Sequence, residues 1–151
     1  MTERTIHILL ADDNSNEHFF FAHAIKSIQK KIKLDFLRGG IELLNYFRSQ
    51  PSAKPDIVFI DINMPLQNGK ECLAAIRADA TNDDIPIVMY STSDAESDIN
   101  QTYALGADLY LSKPIALEHL SVLLDSVLNL YDKGQLKRGS RDSFVLHMPG
   151  D

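Results

Sequence analysis

Cysteine is nearly absent from this chain, tryptophan is wholly absent, and no apolar stretch approaches the roughly 20 residues that a membrane span needs. The single cysteine, Cys72, excludes an internal disulfide. No secretory leader precedes Ile6, so a reducing cytoplasm is the expected setting. Basic residues are outnumbered, 15 Lys and Arg against 21 Asp and Glu, for a net charge of -6. That balance argues against a general nucleic-acid binder, which carries a basic stripe. There is no internal repeat and no low-complexity block. What remains, 44% hydrophobic and 24% charged residues, is the composition of a soluble globular chain. At 151 residues it is one ordinary domain, able to bury roughly 68–70% of its unfolded surface.

Five short apolar runs alternate with five helical patterns. The runs predict strands over 5–11, 32–37, 56–61, 85–91 and 107–112. Three of them are nearly continuous in Ile, Val, Leu and Phe, as strands covered on both faces of a parallel sheet are. The second, Ile32-Lys33-Leu34-Asp35-Phe36, alternates and suits a sheet edge. Helices are predicted over 15–30, 39–49, 68–78, 94–104 and 116–131. Asn14 is placed to cap the first, with Glu17 completing a capping box. Gly106 stops the fourth, and Leu117, Leu120, Leu124, Val127 and Leu128 give the last a single apolar stripe. Alternating β and α elements with short loops imply an α/β doubly wound parallel sheet with helices on both faces. In such sheets ligands bind outside the carboxyl ends of the strands. The domain is expected over 1–131. Residues 132–151 read as a polar tail without a fold of its own, whose one apolar island is Phe144-Val145-Leu146.

The charged residues that end these runs carry the chemistry. Asp61 follows Ile57-Val58-Phe59-Ile60, Asp12 and Asp13 follow the first strand, and Lys113 follows the fifth. Any one of them alone reads as a turn or cap residue. Together, at the same ends of parallel strands, they are expected to form a divalent-cation site around an aspartate that accepts a phosphoryl group. Two anions must meet there, so positive charge has to bridge them. Mg²⁺ suits the task, because it takes six oxygens from one or two carboxylates, phosphate and water. Asp12, Asp13, Asp61 and the backbone carbonyl of Asn63 are the expected metal ligands, and Lys113 neutralises a phosphoryl oxygen. Without a cation the three acids repel one another, so the empty site should be strained.

This ordered set resembles the receiver domain of two-component response regulators, the family that includes the chemotaxis protein CheY, over about residues 5–131. The resemblance implies a flavodoxin-like sheet in the order 2-1-3-4-5. It makes Asp12 and Asp13 the acidic pair, Asp61 the phosphoacceptor and Lys113 the phosphate-binding lysine. Ser91 becomes the hydroxyl switch residue and Tyr110 the aromatic one, with Ser91 and Thr92 also contacting the phosphoryl group. Pro114 and Gly69 mark the loops after Lys113 and Asp61, with a cis peptide expected at Pro114. The implied partners are a sensor histidine kinase or histidine phosphotransfer protein and a downstream protein target, with neither nucleic acid nor membrane. Phosphorylation would reshape the face made by the fourth helix, fifth strand and fifth helix, which is also where a homodimer would form. The chain is not expected to be an enzyme beyond catalysing its own phosphorylation and dephosphorylation.

Relatives often carry alanine at the position of Thr92, whose extra bulk is expected to narrow access for small phosphoryl donors. Asn63 and Ser93 flank the site without supplying a strong base, so fast hydrolysis of the acyl phosphate is not expected. Phe19-Phe20-Phe21 spans some 200° of a helix at about 100° per residue, so at least one ring should reach solvent as a partner anchor. Three rivals fit less well. A phosphohydrolase with an aspartyl-phosphate would place an acid at position 63 and its nucleophile after the first strand. A pseudo-receiver would lack some of these residues. A transcription factor needs more than 20 further residues. The expected role is a stand-alone switch or an intermediate carrier in a phosphorelay.

Overall fold

All four residues of strand β3, Ile57–Ile60, are buried, and their side chains go alternately to two separate cores. That alternation is the period-2 rule of a strand applied to a sheet covered on both faces. The computed structural model describes residues 4–49 and 54–148. The outermost residues of the expected domain and tail, 1–3 and 149–151, lie outside them. Strands β1 (Ile6–Ala11), β2 (Ile32–Leu37), β3, β4 (Ile87–Ser91) and β5 (Leu109–Ser112) form a wholly parallel sheet in the order 2-1-3-4-5. Helices α1 (Ser15–Lys26), α2 (Gly40–Ser49), α3 (Gly69–Arg77), α4 (Glu96–Ala104) and α5 (Leu117–Asp132) connect them.

One face of the sheet meets α1 and α5 through Phe21, Phe59, Tyr90, Leu120, Leu124 and Leu128. The other meets α2, α3 and α4 through Leu43, Val58, Leu73, Ile76, Met89 and Ile99. Each fully buried Leu, Ile or Phe here contributes about 1.5–3 kcal/mol. Strand β2 is the exposed edge its alternating sequence predicts, with Lys33 and Phe36 at the surface. Just past the end of helix α4 lies Gly106, whose φ of 102° is accessible to glycine at little cost.

Helix α1 is four residues shorter than its sequence pattern suggests. The Ser27 hydroxyl donates to the Ala24 carbonyl at 2.8 Å and the Ile28 N–H bonds Ile25, which turns Ile28 into the core. The capping box expected at Glu17 also fails. Asn14 does cap the helix through the Asn16 N–H, but the Glu17 carboxylate accepts from the Tyr90 hydroxyl instead (3.2 Å). The box occurs at α3, where Asn68 and Glu71 exchange side-chain and backbone bonds. The C-terminal segment does not hang free. Phe144 is fully buried, and Leu136 is buried against the core of the first face.

Candidate functional site

Strand register brings the acids together. Ala11 of β1 pairs with Ile60 of β3, and the Asp61 N–H donates to the Ala11 carbonyl at 3.0 Å. Asp12 and Asp61 therefore leave adjacent strands at the same height. Oxygens of Asp12, Asp13 and Asp61 lie within 4.8 Å of one another. Asp12 and Asp61 are buried while Asp13 is exposed, so the cluster opens to solvent on one side only. The Lys113 Nζ sits 2.7 Å from Asp12 and 3.6 Å from Asp61. Its backbone N–H bonds the Ser91 carbonyl at 2.8 Å, which ties the end of β5 to the end of β4.

The electrostatics are those of a site with an excess of negative charge. Burial pushes the Asp61 carboxyl up to about 6, Lys113 pulls it down, and Asp12 and Asp13 push it up again. An N–H from Asn63 also stabilises the carboxylate. Burial would lower the pKa of Lys113, but its hydrogen bond to Asp12 and the charges of Asp61, Asp12 and Glu17 raise it overall, so it stays an ammonium. Both oxygens of Asp12 already have protein donors, Lys113 and the Asn14 N–H. Three carboxylates with one ammonium leave negative charge uncompensated, and an all-oxygen donor set fits a hard divalent cation.

The loop after Asp61 is held tightly. The Gly69 N–H bonds the Ile62 carbonyl at 2.8 Å, and a Cβ on Gly69 would lie 2.2 Å from the Asp61 carbonyl oxygen. Only glycine permits that approach. Leu66, in the same loop, has a φ of 69° and is exposed, a strained position for a side chain with a Cβ. Ser91 is buried and its Oγ accepts from the Ser93 N–H. Tyr110 is fully buried and its hydroxyl donates to the Ser93 carbonyl at 2.8 Å. Thr92 is exposed and lines a cleft with Lys113, Pro114 and Phe20. Thr92→Ala should therefore speed phosphorylation by a small donor such as acetyl phosphate; an unchanged rate would remove Thr92 as a barrier. The Lys113–Pro114 peptide is trans, contrary to expectation, as all described peptide bonds are. Trans is the lower-energy isomer before proline by about 0.5–1 kcal/mol.

Two supporting residues were not legible in advance. The Tyr90 ring lies beneath the Lys113 ammonium, 5.3 Å from Nζ to centroid, and its hydroxyl reaches Glu17. His18 donates from Nε2 to the Asp12 carbonyl at 2.8 Å and stacks on Phe36. Tyr90 adjoins Ser91 in sequence, which is the one available hint. On α1, Phe21 is buried, Phe20 is half-buried and Phe19 is 76% exposed, so one ring of the three reaches solvent as the helical spacing required.

The family model for the response regulator receiver domain matches residues 8–125. The chain belongs to this family. The receiver is 27% identical over 124 residues to response regulator Rcp1 of a Synechocystis strain, covering 80% of this chain and 84% of Rcp1. Among solved structures it resembles the phosphorylated cyanobacterial phytochrome response regulator RcpA, with a TM-score of 0.78 and 27% identity over 87% of this chain and 96% of that one. The Mn²⁺-bound form of Rcp1 superposes with a TM-score of 0.74 at 26% identity, covering 83% of this receiver and 94% of that chain. No helix among the described residues is long and apolar enough to cross a membrane.

Proposed function

We propose that this receiver is a phosphorylation switch in two-component signalling. Asp61 takes the phosphoryl group from a phosphohistidine of a sensor histidine kinase or a histidine phosphotransfer protein. One observation carries the reading: the Asp61 carboxylate clusters with Asp12 and Asp13, and the Lys113 ammonium reaches it at 3.6 Å while bonding Asp12 at 2.7 Å. That is an acceptor already surrounded by what an incoming phosphate requires.

Asp61 attacks phosphorus, the P–N bond of the donor breaks, and the donor, protonated on its other ring nitrogen before transfer, leaves as a neutral imidazole. Lys113 holds one phosphoryl oxygen as a point charge, fixed in place by Asp12 and by the Tyr90 ring. Asp12, Asp13, Asp61 and the Asn63 carbonyl would hold Mg²⁺, which when bound supplies positive charge between the two anions. RcpA in phosphorylated form and Rcp1 with Mn²⁺ support this assignment by likeness. The Ser91 hydroxyl and Thr92 then contact the phosphoryl oxygens, and Tyr110 in the buried position defines the switched face of α4, β5 and α5. Exposed Phe19 on α1 is an anchor for the phosphodonor. The domain catalyses its own modification and acts on no other substrate. Its setting is the reducing cytoplasm.

Incubation with a phosphorylated histidine kinase and Mg²⁺ should label the protein. Asp61→Asn or chelation of the metal should abolish the label. Undiminished labelling of Asp61→Asn would refute the assignment.

A further inference from the structure

Strand β5 is the sheet edge opposite β2, and its outer side is not free. The Tyr110 N–H donates to the Phe144 carbonyl and the Tyr110 carbonyl accepts from the Leu146 N–H, both at 2.9 Å. The tail thus adds a single parallel bridge, Tyr110 to Val145, to the sheet. Phe144 is 1% exposed, with its ring 5.1 Å from Tyr103 of α4 and 6.0 Å from Tyr110. The Arg138 guanidinium lies 3.9 Å over the Tyr103 ring, and the Tyr103 hydroxyl donates to the Gly139 carbonyl at 2.7 Å. Arg141 reaches Asn100 and Glu96 on the same helix. Leu146 and Met148 pack toward the core beneath α5. Backbone, aromatic and charged contacts all fall on one surface, so this is a specific docking rather than a collapsed tail.

We propose that residues 138–148 are a built-in ligand of the α4–β5–α5 face, and that their docking is coupled to Asp61 through Tyr110. This rests on the reading of Asp61 as phosphoacceptor. Tyr110 is held on one side by the Ser93 carbonyl in the β4–α4 loop and sealed on the other by Phe144. Its ring cannot swing to solvent unless Phe144 leaves. A phosphoryl group that favours buried Tyr110 therefore favours the docked tail, and by linkage the docked tail favours the phosphoryl group by the same factor. A partner that takes this face must first displace the tail.

The Leu146 amide reports docking directly, and its hydrogen exchange can be followed in the full chain. Beryllofluoride with Mg²⁺ serves as a stable mimic of the acyl phosphate. Exchange at Leu146 should slow about fivefold or more when the mimic binds. Phe144→Ala should speed that exchange and weaken beryllofluoride binding by a matching factor. Arg138→Ala, at an exposed residue outside the core, should act in the same direction with the fold intact. Unchanged exchange at Leu146 in protein that demonstrably carries label on Asp61 would overturn the coupling and leave the phosphoacceptor standing. Absence of label would instead remove the reading beneath it. Protection that grows with protein concentration would mean that the tail docks on a second copy, and would overturn docking within one chain.

Discussion

Asp61→Asn should stabilise the metal-free protein by about 2–3 kcal/mol at pH 8. The wild-type carboxyl is raised from 3.8 to about 6 in the fold, chiefly by burial. At pH 8 the unfolded chain ionises Asp61 freely, whereas the folded chain must hold that charge beside Asp12 and Asp13. The folded state therefore gains from this group as pH falls through about 6, and the gain is complete below 3.8. Asparagine keeps an oxygen for the Asn63 N–H and carries no charge, so its advantage should be full at pH 8 and vanish near pH 4. Urea melts of both proteins with chelator at pH 8, 6 and 4 measure this, and Mg²⁺ should narrow the gap by favouring the wild type. Two effects oppose each other here, desolvation against attraction by Lys113. A variant less stable than wild type at pH 8 would mean that the Lys113 attraction wins and that the site is a structural ion pair.

Lys113→Met should separate cation binding from phosphoryl transfer. The ammonium lies between Asp12 and Asp61 with little solvent around it, so no water can substitute for it at low cost. Removing one such charge from a preorganised phosphoryl site costs about 10²–10³-fold in transfer rate. The same change deletes a positive charge beside a cation site, so Mg²⁺ should bind about tenfold more tightly. Methionine is of similar length and can rest its thioether over the Tyr90 ring, so the fold should survive. Single-turnover transfer from a phosphorylated kinase and a metal titration by calorimetry give the two numbers. Loss of both activities together would assign Lys113 to holding the loop rather than to the phosphate.

The parts of this molecule governed by local pattern could be read in advance. Strands β1, β3 and β4 are continuous apolar runs because both faces are covered, and that signal is strong. The acids that end β1 and β3 and the lysine that ends β5 follow from the same sheet, since parallel strands bring their carboxyl ends to one side. What escaped depended on pairings distant in sequence. Glu17 satisfied the spacing of a capping box but found the Tyr90 hydroxyl, 73 residues away. Ser27 ended α1 through its own hydroxyl, a local bond that apolar periodicity does not register. Phe144 stood out as part of an apolar island in the tail, but where it docks depends on the aromatic pair Tyr103 and Tyr110, brought together by α4 and β5. The isomer at Pro114 is a balance of less than about 1 kcal/mol, below what any sequence pattern resolves.

Borohydride reduction converts an aspartyl phosphate to homoserine and so marks the residue that carried it. Applied after phosphorylation by a kinase with Mg²⁺ and followed by peptide sequencing, it should convert residue 61 alone, and nothing when the metal is chelated. Conversion at residue 12 or 13 with residue 61 intact would contradict the account.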